Sequence, residues 1–290
     1  MRNTETNKDR GVAGDSVKGG VSQSVRHDSA HKHVSGEATY IDDIPEPRRL
    51  LNIYVAMSKK AHARVTKLDV SKVREAEGVA AVLTAEDIPG VNDVSPIMGD
   101  DPVFADGLVQ YVGQSLFAVA ADTIDQARAA ANLAEVEYDE LPALLTVDQA
   151  LEAESYLLDP HQMKNGDSES ALGQATNRLQ GTVRIGGQDH FYLEGQIAMA
   201  VPGVDGDVHV FTSTQHPTEV QHNVAKVLGI PDHGVTSEIR RMGGGFGGKE
   251  SQPALIGAIA ALAATKTGRP AKLRLDRDDD MEMTGKRHDF

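Results

Sequence analysis

The chain contains no cysteine and no tryptophan, and only six tyrosines and six phenylalanines among 290 residues. Without thiols it can close no disulfide, ligate no iron–sulfur cluster and build no cysteine-type zinc site. Any metal or cofactor has to be held in another way. Basic residues are also scarce, 29 Lys and Arg against 43 Asp and Glu, for a net charge of −14. That deficit argues against a nucleic-acid partner, because affinity for a phosphate backbone comes largely from a basic surface. Long apolar runs are lacking too. The longest, ALIGAIAALAA from Ala254 to Ala264, is too short to span a bilayer, and MRNTETNKDRGVAGDSVKGGVSQSV at the N-terminus has no apolar centre of the signal-sequence kind. A cytoplasmic protein with no membrane partner is expected.

What is present is ordinary globular composition, with 40% hydrophobic and 25% charged residues, in a chain long enough for two domains. Residues 1–25 are polar and aperiodic, the pattern of a disordered arm. Order is expected from Arg26. LLNIYVAMS (50–58), ARVTKLDV (63–70) and VAAVLT (79–84) read as strands, bounded by polar segments. SKVREAEG between the last two reads as a short helix capped by Ser71. GLVQYVGQSLFAVAA (107–121) reads as two strands around Gly113, and DTIDQARAAANLA (122–134) as a helix with an Asp cap and an apolar face at Ile124, Ala127, Ala131 and Ala134. A strand in 134–146 and a helix VDQALEA complete a first unit, 26–158. The polar stretch 159–180 is the natural linker. A second unit, 181–290, adds strands in 181–203 and DVHVFTSTQ, a helix PTEVQHNVAKVLG, a strand HGVTSEIRRM, the helix QPALIGAIAALAATKTG and the strand KLRLD. The last helix carries Ala and Leu on nearly every side, so it should be buried against a sheet. The fold class is α+β, two mixed α/β domains.

GGGFGGKES (243–251) is the stretch that carries chemistry. Gly243, Gly248 and Lys249 come within one residue of a phosphate-binding loop, but the place that needs Ser or Thr holds Glu250. Gly243, Gly245 and Gly248 satisfy the dinucleotide pattern, yet the nearest acid on a following strand, Asp276, stands well beyond the ~20 residues that pattern requires. Two readings stay open. Five glycines make a tight strand-to-helix crossing, or the stripped loop lets backbone amides approach a ligand while Phe246 and Glu250 face it.

Several long segments in one order resemble the xanthine dehydrogenase family of molybdenum hydroxylases, in its bacterial, separate-subunit form. IRRMGGGFGGKE (239–250), GGQDHFYLEGQ (186–196), TSTQHPTEVQHNVAKVLGIP (212–231) and KTGRPAKLRLDRDDDMEMTGKRHDF (266–290) look like its molybdenum-binding part, and RHDSAHKHVSGEATYIDDIP (26–45) with YVGQSLFAVAADT (111–123) like the hammerhead-like domain before it. The resemblance implies a molybdenum–molybdopterin cofactor with no direct protein ligand to the metal. Gln188 matches the glutamine that points at an oxygen on molybdenum, Phe246 and Gly247 the residues whose backbone packs against that oxygen ligand, and Glu250 the buried glutamate that hydrogen-bonds a purine. The implied reaction is hydroxylation of hypoxanthine and xanthine, with electrons leaving through 2Fe–2S clusters and FAD to NAD on a partner subunit, in a hetero-oligomer. By the same resemblance the second domain is truncated at its C-terminal side. The general base, the substrate-binding arginine and the aromatic clamp fall in the remaining C-terminal part of the large subunit, so no catalytic residue is assigned, the piece alone is expected to be inactive, and a severed sheet would expose an edge. The alternatives are an aldehyde or other N-heterocycle hydroxylase, or a truncated, non-catalytic assembly fragment.

Other clusters read as structural. His27, His31 and His33 lie among Lys and Asp beside the arm with no supporting pattern. DRDDDMEM (276–283) reads as a solvated turn rather than a cation loop. Asp189, His190 and Glu194 lack a nucleophile in an elbow motif.

Overall fold

The computed structural model describes residues 21–290, so most of the expected arm lies outside the described residues. In the N-terminal unit, which extends to Ala38, helix α1 (Ala30–Ser35) ends where Gly36 takes a left-handed conformation, φ +79°, that glycine adopts without a Cβ penalty. The His27 and His33 rings lie tilted at 47° to one another there, centroids 6.1 Å apart. Among the described residues no three His, Asp or Glu side chains come together as metal ligands.

The second unit, Thr39–Phe290, is organised by a seven-stranded sheet. Its strands are β1 (Leu51–Met57), β3 (Val79–Leu83), β5 (Ser115–Ala121), β7 (Ile197–Pro202), β8 (Val208–Thr212), β9 (Val235–Glu238) and β10 (Ala271–Arg274). Their spatial order is β3-β5-β1-β10-β7-β8-β9. A second, three-stranded sheet places β2 (Ala63–Asp69) between β4 (Leu108–Val109) and β6 (Glu135–Glu140). Strands from both sides of 159–180 thus join in one sheet at a single seam, the parallel pairing of β1 with β10, Leu51 opposite Ala271 and Ile53 opposite Leu273. The stretch 159–180 itself contains a helix, α5 (Ser168–Gln174), started by the Asp167 side chain, which accepts from Ser170 N.

The two faces of the large sheet bury different cores. Leu51, Ile53 and Val55 of β1, with Ala198 and Ala200 of β7 and Val208 and Val210 of β8, pack against α6 (Pro217–Leu228) and α7 (Gln252–Thr267). Phe117, Val119 and Ala121 of β5 turn the other way, onto α2 (Ser71–Arg74), α3 (Ile124–Ala131) and the small sheet. Every residue of β5 is buried as a result, which is why it reads as a continuous apolar run without alternation. In α7 every residue from Pro253 to Ala264 is buried; Gly257 meets α6 and β8 so closely that a Cβ would stand 3.2 Å from Val220 Cγ1.

Three local expectations are corrected. The helix at 122–134 is capped by Thr123, whose hydroxyl accepts from Gln126 N, rather than by the aspartate before it. Helix α2 is entered from Val70, with the Asp69 carboxylate accepting from Ser71 N at 3.0 Å. DRDDDMEM is a helix, α8 (Arg277–Met283), not a solvated turn. The Asp276 carboxylate accepts from Asp279 N, and the acids of the first turn sit where the helix dipole favours them. One of them, Asp280, is 2% exposed.

Ile53 is 1% exposed on the strand that joins the two halves of the sheet. Ile53→Ala should cost about 2–5 kcal/mol and shift a single denaturant transition for the whole unit. A second transition that stays in place in the variant would show the two halves folding separately.

Candidate functional site at the glycine loop

The loop runs from the end of β9 to the start of α7. Gly244, Phe246 and Gly247 have φ of +99°, +54° and +91°, and for Phe246 that left-handed conformation is a strained one. The other three glycines have a different reason. A Cβ at Gly243 would lie 2.5 Å from Glu194 Cβ, at Gly245 2.5 Å from Gln215 Oε1, and at Gly248 2.7 Å from the His190 ring and 2.8 Å from Tyr192 Cε1. At these three positions the side chains are stripped to admit protein neighbours on the inner side of the loop, as a tight crossing requires.

The amides divide the same way. Gly243 N donates to Glu194 Oε2 at 2.7 Å, Gly247 N to Gln215 Oε1 at 2.9 Å, Lys249 N to the same oxygen at 3.3 Å, and Gly248 N to Gly245 O at 2.8 Å. The amides of Gly244, Gly245 and Phe246 make no hydrogen bond within the described residues. Gly245 is buried, so the amides of Gly244 and Phe246, with the Phe246 ring 76% exposed, form the part of the loop open to a ligand.

Beneath the loop lies a buried polar network. The Lys249 side chain is fully buried; its Nζ donates to Glu194 O at 2.6 Å and Ser213 Oγ at 2.7 Å, approaches Glu194 Oε2 at 3.4 Å, and stands 4.6 Å from the centre of the Tyr192 ring. Burial pulls the Lys249 pKa down, opposed by the charge of Glu194. Gln196 Nε2 donates to Gly248 O and to Tyr192 Oη, both at 2.9 Å, and the Tyr192 hydroxyl donates to Asp280 Oδ1 at 2.7 Å. Asp280 also accepts from Gln196 N and from the Thr284 hydroxyl. Burial, then the Asp280 carboxylate, pushes the Tyr192 pKa well up. Glu194 Oε1 and Gln196 Oε1 are buried with no partner.

Of the residues singled out from the sequence, Phe246, Gly247 and Glu250 share the loop, and all three are exposed. The resemblance implies a buried Glu250; it is exposed instead, directly after the buried Lys249 and just before the chain enters the core as α7. Gln188 is exposed as well. Its backbone is fixed in an antiparallel bridge, Gln188 N to Arg287 O at 3.1 Å and Arg287 N to Gln188 O at 2.9 Å. His190 packs under Gly248. Asp189 accepts from Phe191 N at 2.6 Å and pairs with Lys286 at 3.1 Å. Sequence reasoning missed Lys249, Ser213, Gln215, Gln196 and Asp280 as one assembly. The usable signal was polar side chains in TSTQ and GKE beside apolar strands, where burial demands partners.

Two family models match the chain in sequence order: the aldehyde oxidase and xanthine dehydrogenase a/b hammerhead domain over residues 35–142, and the molybdopterin cofactor-binding domain over residues 151–290. Xanthine dehydrogenase/oxidase of Mus musculus is 41% identical over 278 residues, 96% of this chain and 21% of the relative. Aldehyde oxidase 2 of Rattus norvegicus is 42% identical over 270 residues, 92% of this chain and 20% of the relative. The solved aldehyde oxidoreductase of Desulfovibrio gigas aligns with a TM-score of 0.80 at 27% identity, over 90% of this chain and 31% of that one. The chain spans about a fifth of the length of the curated relatives it matches.

Tyr192→Phe deprives buried Asp280 and Gln196 of a partner and should cost about 1–2 kcal/mol near neutral pH. A raised phenol pKa means that the contribution of Tyr192 is complete below its unfolded value, about 10, and is lost as the pH climbs above it. Unfolding free energies of the two proteins should therefore converge in alkali; a gap that is constant with pH would show that the phenol does not titrate with folding.

Proposed function

Because the chain belongs to the molybdenum hydroxylase family, we propose that it is part of the molybdopterin-holding large subunit of a xanthine dehydrogenase, hydroxylating hypoxanthine and xanthine. The observation that carries the reading is the outer face of the glycine loop. Phe246 is held in a strained conformation with its ring in solvent and its own amide, with that of Gly244, unspent on the protein. Strain and unpaired donors together are what a fixed ligand would use, so the residues present fit a group that accepts hydrogen bonds from main-chain amides.

When bound, the molybdenum–pterin group supplies two-electron redox chemistry and the oxygen destined for the substrate. The protein's part is electrostatic and positional. Donors fixed in a rigid loop favour negative charge beside them without rearranging during the reaction; Phe246 N is one donor this loop offers, and the Gln188 side-chain amide would be a further group to hold the cofactor. The Glu250 carboxylate can accept hydrogen bonds from a purine N–H and so set which ring carbon is presented. No residue of this chain is assigned as the general base. FAD, 2Fe–2S clusters and NAD on a partner subunit complete the proposed electron path, in a cytoplasmic hetero-oligomer.

Near-equal identity to a xanthine dehydrogenase and to an aldehyde oxidase supports an aldehyde or other N-heterocycle hydroxylase as the second reading. Glu250 separates the two, since an aldehyde gives a purine-orienting acid nothing to hold. In the assembled enzyme Glu250→Ala should lower kcat/KM for xanthine on the order of 100-fold while molybdenum content stays at the wild-type level. Unchanged turnover of xanthine, or aldehyde turnover lost in step with it, removes the purine assignment.

A further inference from the structure

We propose that the buried Lys249–Glu194 pair is the positioning device that locks the Gln188 segment and the Phe246–Glu250 loop into one fixed relation. Naming those segments as cofactor- and purine-facing rests on the function proposed above; the clamp itself rests on geometry alone.

Glu194 closes the segment that begins at Gln188, and it is bound to the loop from both ends. Its backbone N donates to Gly243 O at 3.1 Å, while its Oε2 accepts from Gly243 N at 2.7 Å. Its backbone carbonyl accepts from Lys249 Nζ at 2.6 Å, six residues further along the loop. Ser213 bridges the pair, receiving a bond from Lys249 Nζ at 2.7 Å and passing one to Glu194 Oε2 at 2.6 Å. The ammonium thereby uses all three of its donors on two residues. Behind it the backbone of Lys249 is tied to the end of β8, its carbonyl accepting from Gln215 N at 2.7 Å and from Thr214 Oγ1 at 3.3 Å.

The consequence is orientation. Lys249 points wholly inward, so its neighbour Glu250 is turned out, and Gly247 and Phe246 are presented on the opposite side of the turn. Stability is a poor account of such a pair. Removing two charges from water costs several kcal/mol, and apolar groups of the same volume often hold a core equally well. Here burial already depresses the Lys249 pKa, and Glu194 keeps one carboxylate oxygen buried without a partner. A pair that contributes little to holding the fold, yet joins two site-bearing segments by four direct hydrogen bonds and a bridge through Ser213, acts through placement. Lys249 is thus a positioning residue for Phe246 and Glu250.

The test compares Lys249→Met with the double variant Lys249→Met/Glu194→Leu, in the 290-residue chain without cofactor. Amide hydrogen exchange is read by NMR at Gly247, held by the unmutated Gln215, at Gln188, held by Arg287, and at Val210 in the central sheet. The single variant leaves Glu194 buried without its counter-charge and should lower the thermal midpoint. The double variant should recover the midpoint while exchange at Gly247 and Gln188 stays on the order of 10-fold faster than wild type and Val210 keeps its protection. Wild-type exchange at Gly247 and Gln188 in the double variant, or acceleration spread evenly through the sheet, overturns the proposal. In the assembled enzyme the double variant should lower kcat more than it raises KM, as misplacement of reacting groups does. Failure of the assembled wild-type enzyme to retain molybdenum would sink the functional reading and leave the exchange result standing.

Discussion

The parallel pairing of β1 with β10 is the constraint on which the rest of the architecture depends. It brings residues 51–53 against 271–273, so the sheet cannot be completed until the whole chain is in place. On one side of that seam β5 and β3 bury a face against the small sheet; on the other β7, β8 and β9 carry α6 and α7. Remove the seam and each half keeps an open strand edge, with one flank of the α7 packing gone. The glycine loop inherits its position from this arrangement, since it leaves the sheet at β9 and re-enters the core as α7.

Much of this was legible in the sequence, and the reasons are particular. The strands β1, β3, β5 and β8 announce themselves by β-branched and apolar residues between polar breaks. Helix α7 is read as buried because no side of it is polar. The N-caps were harder: Asp122 and Thr123 are both good caps, and only the backbone geometry at Thr123 decides between them. Pairing partners were not legible at all, because nothing local to LNIYVAM or AKLR says that these two strands meet across two hundred residues. The buried Asp280 escaped for a related reason. Among three aspartates in a row it is chemically anonymous, and only the tertiary arrival of Tyr192 and Gln196, beside its near neighbour Thr284, distinguishes it.

The glycine loop shows where motif reading stops. Its glycines carry two separate demands, left-handed backbone at 244 and 247 and close neighbours at 243, 245 and 248, and a pattern of letters cannot apportion them. The outward residues Phe246 and Glu250 were recognisable as oddities among glycines. The inward Lys249 was visible only as a phosphate-loop lysine that fails its test, although its burial makes it the most constrained residue of the segment.

The antiparallel ladder between 185–188 and 287–290 has one further consequence. Ile185 and Phe290 exchange backbone hydrogen bonds in both directions, as do Gln188 and Arg287, and these contacts involve main chain at a solvent-facing margin rather than the core. A protease that trimmed the last half-dozen residues would leave both cores intact and still unmoor Gln188. Tags, fusions or nicks next to residue 290 therefore act on the placement of Gln188 before they act on the two cores.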